Sequence, residues 1–195
     1  MPKLYEDNNL TVRGKLIPFA EFVPFAGTPA ANKEISTPNS IAAAEAYLGK
    51  PVPELPATLY MEYYRNGNRS NYEGPYFARR AAATTLLTAE LTEGKGRFTD
   101  LLVDYIWAIC EESTWVIPAH NHPDHGNPIN CLPDAFMLDE DDDVRNIDLF
   151  SAMTGAAMAY VWYFGGKVLD PVTPVIRSRL KKLIEKRIFH GYLND

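Results

Sequence analysis

The stretch from Gly96 to Pro123, GRFTDLLVDYIWAICEESTWVIPAHNHP, sets the narrowest limits on what this chain can fold into. Phe98, Leu101, Leu102, Tyr105, Ile106 and Ile109 recur at i, i+3, i+4, i+7, i+8 and i+11, one continuous stripe at helical period. Val103 and Trp107 fall off that stripe and are also large and apolar. A helix apolar on more than one side must be covered on more than one side, so the spacing predicts a helix inside a multi-helix assembly. The pattern stops at Glu111-Glu112-Ser113, and Pro118 forbids its return. Trp115, His120, Asn121 and His122 then fall close together. Aromatic, imidazole and amide groups on a segment anchored to a buried helix are the material of a ligand cleft.

At 195 residues the chain suits one domain with a sizeable core. Its 46% apolar and 23% charged residues are those of an ordinary soluble globular protein rather than a disordered one. A net charge of -6 argues against generic nucleic-acid binding, which needs a basic footprint. Cys110 and Cys131 are too few to frame a disulfide-rich fold and read as two buried thiols, with a bridge between them as the alternative. The opening MPKLYEDNNL carries acids where a secretory signal needs a basic start and an apolar run. Leu149 to Phe164 is the most membrane-like run, yet it is shorter than the roughly 20 residues a span requires and reads as a core helix. No membrane partner is expected.

Residues 1–37 show no sustained period and hold Pro2, Pro18, Pro24 and Pro29, so they read as an irregular arm packed through Leu16, Ile17, Phe19, Phe22 and Phe25. The remainder, 38–195, reads as a single helical domain. Asn39 or Ser40 caps a short helix through Ala42 to Leu48, ended by Gly49 and Pro51. Leu59 to Tyr64 fits a strand or a helical turn. Asn66-Gly67 has the form of a hairpin turn, but no alternating strand follows it. A helix of about five turns is expected from Pro75, a natural first helical residue, to Gly94. The short link to the Gly96–Ile109 helix favours antiparallel packing of the two. Pro118 to Val144 is a long irregular segment whose Asp139–Asp143 run reads as a solvated loop. Asp148 caps the next helix, thinned on one side by Gly155, Ala156, Ala157 and Ala159 and stopped by Gly165-Gly166. Thr173 and Pro174 open a last helix with Ile176, Leu180, Leu183, Ile184 and Ile188 along one face. Its Arg177, Arg179, Lys181, Lys182, Lys186 and Arg187 read as a solvated basic face.

Three segments, LYMEYYRNGNRSNYEGPYFARR, GRFTDLLVDYIWAICEESTWVIPAHN and IDLFSAMTGAAMAYVWYFGGKVLDPVTPVIRSRLKKLIEKRIFHGYL, resemble the N-terminal part of heparinase II/III-like proteins. The W-V-I-P-A-H-N segment and the D-L-F-S-A-M-T-G helix carry the resemblance, which covers roughly residues 38 to 195. It implies an all-α fold, a partial (α/α) toroid of antiparallel helical hairpins. It also implies a polysaccharide lyase that cleaves uronic-acid-containing chains by β-elimination, and an exported or periplasmic setting. The family's catalytic tyrosine region has no counterpart in these residues, so the catalytic residues are unassigned and the chain reads as a first part of such a lyase, inactive by itself.

β-Elimination needs a base for the proton α to the carboxylate and donors for the enolate-like charge. His120, Asn121 and His122 are of the donor type; the bland alternative is a polar loop closing the helix end. Trp115 offers a platform for the apolar face of a pyranose or, equally, a ring buried between helices. Arg69, with Arg65, fits bidentate recognition of a carboxylate, or pairing with Glu62 or Glu73. His120, His122 and His125 with Asp124 are zinc-type ligands, but they follow a helix and a proline, and no metal or other cofactor is expected. Glu111 and Glu112 are sequential and point apart, a poor acid–base pair. The expected partner is an acidic polysaccharide or oligosaccharide. A non-catalytic helical carbohydrate-binding or scaffold domain is the rival reading, and a homo-oligomer that completes the core is a third.

Overall fold

The computed structural model describes residues 38–121, 132–133 and 147–190, and these are all-α, with no strand among them. The arm 1–37, His122, Asp124, His125, Cys131 and the 139–143 acidic run lie outside the described residues. The helices are α1 (Pro38–Glu45), α2 (Ala57–Asn66), α3 (Ser70–Glu93), α4 (Thr99–Cys110), α5 (Leu149–Phe164), α6 (Gly166–Leu169) and α7 (Pro174–Ile184). A 3-10 turn spans Pro118–His120, and α7 runs on into a π-helical stretch, Glu185–His190. No helix among the described residues is long and apolar enough to cross a membrane.

Local signals explain most of the boundaries. The Leu59–Tyr64 run is helical, inside α2, and Gly67 closes that helix at φ 78°, a left-handed geometry that favours glycine. Asp148 accepts the Ser151 N–H at 2.6 Å to cap α5, and Thr173 caps α7 with Pro174 behind it. The expected start at Pro75 is corrected: α3 begins at Ser70 and holds Pro75 internally. Side chains secure the turns ahead of the proline, Asn68 Oδ1 accepting the Asn71 N–H and Arg69 pairing with Glu73 at 2.5 Å. Gly165-Gly166 ends α5 as expected, but the chain turns straight into α6 rather than into a loop.

Hydrogen bonds fix how the helices run. Glu90, near the end of α3, accepts from the Gly96 and Phe98 N–H groups at the start of α4, at 2.5 and 3.0 Å. Arg79, far up α3, donates to the Ala108 carbonyl near the end of α4. The two helices are therefore antiparallel. Against α5 the order is parallel, with Tyr76 meeting Thr154 at 2.8 Å and Thr88 meeting Tyr160 at 3.4 Å. α5 and the α7 segment are antiparallel, since Arg177 reaches the Trp162 carbonyl while Ile188 lies beside Gly155. Two antiparallel pairs thus pack side by side, and α7 also lies on α4.

The main core joins Leu86, Leu87, Phe98, Leu102, Ile106 and Ile109 to Met158, Val161, Leu169 and Leu180. Burial of these stripes is the principal apolar term holding the pairs together. A smaller cluster of Tyr60, Tyr72, Tyr76 and Ile117 sits under α2. As expected, α4 is covered on more than one side, by α3 and α7, while Trp107 on its remaining side is 44% exposed.

Candidate functional site

Arg79 and Arg80 are neighbours in the middle of α3, flanked by alanines on the C-terminal side, and both are buried. Glu112, one residue past the turn that ends α4, is buried against them. Its Oε1 accepts from Arg79 Nη1 at 3.0 Å and from Arg80 Nη1 at 2.9 Å, and its Oε2 accepts from Arg80 Nη2 at 2.5 Å. Arg80 also donates to the Thr154 hydroxyl at 2.9 Å and lies 3.3 Å over the Tyr76 ring. Arg187 enters from the last segment and donates to the Glu112 carbonyl oxygen at 2.5 Å. Three buried guanidinium groups therefore meet at one buried glutamate, two on its carboxylate and one on its backbone carbonyl, leaving two positive charges in surplus. Burying charge without a partner is expensive, so such a surplus favours an anionic visitor.

Beside this cluster opens a cleft of about 340 Å³, lined by Leu55, Tyr60, Tyr72, Arg79, Trp107 and Glu112 together with Leu132 and Pro133. Arg79 holds the Pro53 carbonyl through Nε at 2.7 Å and uses Nη1 for Ala108 and Glu112, so its Nη2 has no acceptor among the described residues. Tyr60 donates to the Val116 carbonyl at 3.2 Å, and the Tyr72 ring meets it edge-on at 4.9 Å. Burial pushes both phenols well above the usual tyrosine range, and the neighbouring tyrosines and acids add to the shift. Both therefore stay protonated at neutral pH. At the rim, Glu111 is paired to Arg179, whose guanidinium lies 4.5 Å from the centre of the Trp107 ring. The open polar capacity of the floor is a donor, and an exposed indole stands in the wall.

The residues that the sequence offered for this role do not gather here. Trp115 is 1% exposed, its indole N–H satisfied by the Ile109 carbonyl at 3.1 Å and Arg187 over its ring, so no face is open to a pyranose. Of its two readings, the structure takes the buried ring. His120 bonds Asp148 at 2.8 Å through Nδ1 and stacks on Phe150, which ties the 3-10 turn to the cap of α5. Asn121 is buried, and its carbonyl accepts from the Tyr64 hydroxyl. Arg69 pairs with Glu73, and Arg65 lies exposed along α2 against Met61. The expectation that Arg187 belongs to a solvated basic face is corrected: it turns inward to Glu112 and Trp115. Cys110 is free and buried, its thiol pushed up to about 11 by that burial.

Arg79, Arg80 and Glu112 went unmarked as a site in the sequence. No local signal marked the pair: adjacent helix positions lie about 100° apart and can both face solvent, as Lys181 and Lys182 do on α7. No protein-family model matches the chain, and no curated protein matches it either.

Proposed function

We propose that this chain is the helical, saccharide-binding part of a heparinase II/III-like protein, and that the cleft of Tyr60, Tyr72, Arg79 and Trp107 receives a uronic-acid unit of an acidic polysaccharide. The observation that carries the reading is Arg79 Nη2, a guanidinium nitrogen without an acceptor among the described residues, in a cleft that also exposes Trp107. Carboxylate on guanidinium and pyranose on indole are the two contacts a uronate demands. The side-by-side antiparallel pairs, with α3 and α5 running in the same direction, are the arrangement that a partial (α/α) toroid repeats, which supports the family reading.

In the parent enzyme such a protein would cleave by β-elimination, and that requires a base near the proton α to the carboxylate. Tyr60 and Tyr72 are held protonated by burial, so they serve as hydrogen-bond donors and not as that base. This favours binding without bond cleavage at the described cleft, which is also what a non-catalytic carbohydrate-binding domain would do.

Titration calorimetry against a panel of uronic-acid and neutral polysaccharides tests the reading, with ultraviolet absorbance following any new C4–C5 double bond. Saturable binding to uronate polymers alone, without new absorbance, is the expected result. Equal binding to neutral glucans, or no binding at all, would overturn it. Turnover would show that a base has been overlooked.

A further inference from the structure

None of the 16 residues of α5 is charged, yet one side of the helix is open. Leu149 is 66% exposed, and Met153, one turn on, is 55% exposed. Between α5 and its parallel neighbour α3 runs a groove of about 180 Å³. Phe77, Ala81 and Thr84 wall it on one side, and Phe150, Met153 and Ala157 on the other. These residues extend about 10 Å along each helix. Phe77 and Phe150 meet edge-on across it, ring centres 5.2 Å apart. An apolar face of this kind gains from being covered. The chain itself carries a matching segment. Residues 16–25, LIPFAEFVPF, lie outside the described residues and hold a single charge, Glu21. Leu16, Phe19, Phe22 and Phe25 recur at every third position, the period of a polyproline II helix. Pro18 and Pro24 suit that conformation and restrict Ile17 and Val23 before them to extended geometry.

We propose that residues 16–25 of the N-terminal arm dock in the groove between α3 and α5, with their phenylalanine edge against Met153. Successive rings on such an edge stand about 9 Å apart, close to the length of the groove. A space of roughly 150 Å³ is enough to hold one benzene ring. Among the described residues the groove has one charged lining side chain, Arg80, from the cluster with surplus positive charge, and the acid Glu21 is of the complementary sign. The stretch from Phe25 to Pro38 can extend about 40 Å. Pro38 opens α1, which packs on α3, so the groove is within reach. Tethering also gives the arm a local concentration on the order of millimolar, an advantage that a second copy of the chain lacks. The groove shares no lining residue with the cleft beside Arg79, so the inference is independent of the saccharide reading.

The test places the photo-reactive side chain of p-benzoylphenylalanine at Phe22 in the full chain, and maps the products of irradiation by mass spectrometry. The expected product is an internal cross-link to Met153 or a neighbouring groove residue. Cross-links that join two copies, cross-links confined to other faces, or none at all would overturn the proposal. Phe22→Asp and Met153→Asp should each lower Tm by about 4 °C or more, and the double variant by little more than either alone, since both remove the same contact. An unchanged Tm in either single variant, or fully additive losses, would also overturn it, because an unattached arm and an open surface each tolerate aspartate. If a variant does not fold, the cross-link decides.

Discussion

Arg80 and Glu112 meet end to end in the core, Nη1 to Oε1 at 2.9 Å and Nη2 to Oε2 at 2.5 Å, with 8% and 3% of their side chains exposed. The pair ties the middle of α3 to the segment that follows α4 and, through Thr154, to α5. A two-pronged contact of this kind fixes orientation as well as distance.

Glu112→Gln removes the one negative charge among Arg79, Arg80 and Arg187. Stability is expected to fall by about 3–5 kcal/mol, the range for breaking a buried pair by removing one partner. Urea unfolding should show a lower midpoint at unchanged slope. Combining Glu112→Leu with Arg80→Met should cost less than the sum of the single changes, because the double variant leaves fewer uncompensated charges.

Trp107→Ala separates binding from folding. The ring is 44% exposed and stands in the cleft wall, so its loss should leave urea stability within about 0.5 kcal/mol. Affinity for a uronate polymer should fall about tenfold, roughly 1.4 kcal/mol. Undiminished affinity in calorimetry would remove the indole from the site.

The buried tyrosines predict alkaline sensitivity. Tyr60, Tyr72 and Tyr76 are all raised, first by burial, so the folded chain holds their protons more tightly than the unfolded one. Their contribution is fully present below the unfolded pKa of about 10 and is lost as pH climbs from there toward the raised folded values. The slope should approach about 1.4 kcal/mol per pH unit for each phenol involved. Urea midpoints measured from pH 8 to about 11 should stay level and then drop. Tyr72→Phe should flatten the drop, since the Tyr72 hydroxyl has no hydrogen-bond partner among the described residues.

Gly155→Ala tests the contact between α5 and the chain end. A Cβ there would stand 2.7 Å from Ile188 Cγ1, so the two elements would have to part or the isoleucine change rotamer. A loss of about 1–3 kcal/mol is expected, the usual penalty for overpacking. Adding Ile188→Ala should restore part of it; a variant as stable as the parent in thermal unfolding would show that the contact yields freely.

The helices were legible in the chain because their signals are local. The stripe from Phe98 to Ile109, the caps at Asp148 and Thr173 and the stop at Gly94 each act over one or two turns, and each stands where its spacing puts it. Pro75 misled because the turns ahead of it are held by Asn68, Arg69 and Glu73, side-chain contacts that a boundary rule does not weigh. Trp107 looked like part of a second apolar face on the helix yet stands 44% exposed, while Trp115, for which an open and a buried ring were equally legible, is buried.

By itself, the sequence determined that the chain is helical, where most helices begin and end, and that α3 and α4 turn back on one another across two glycines. All of that follows from periodicity and from capping groups that find their partners within a few residues. Only the tertiary structure decided that Arg79, Arg80, Glu112 and Arg187, spread over more than a hundred positions, share one buried corner and that an indole stands open beside it. Pairing across that span depends on which faces of separate helices meet, and no local propensity encodes a charge whose partner arrives from a different pair of helices.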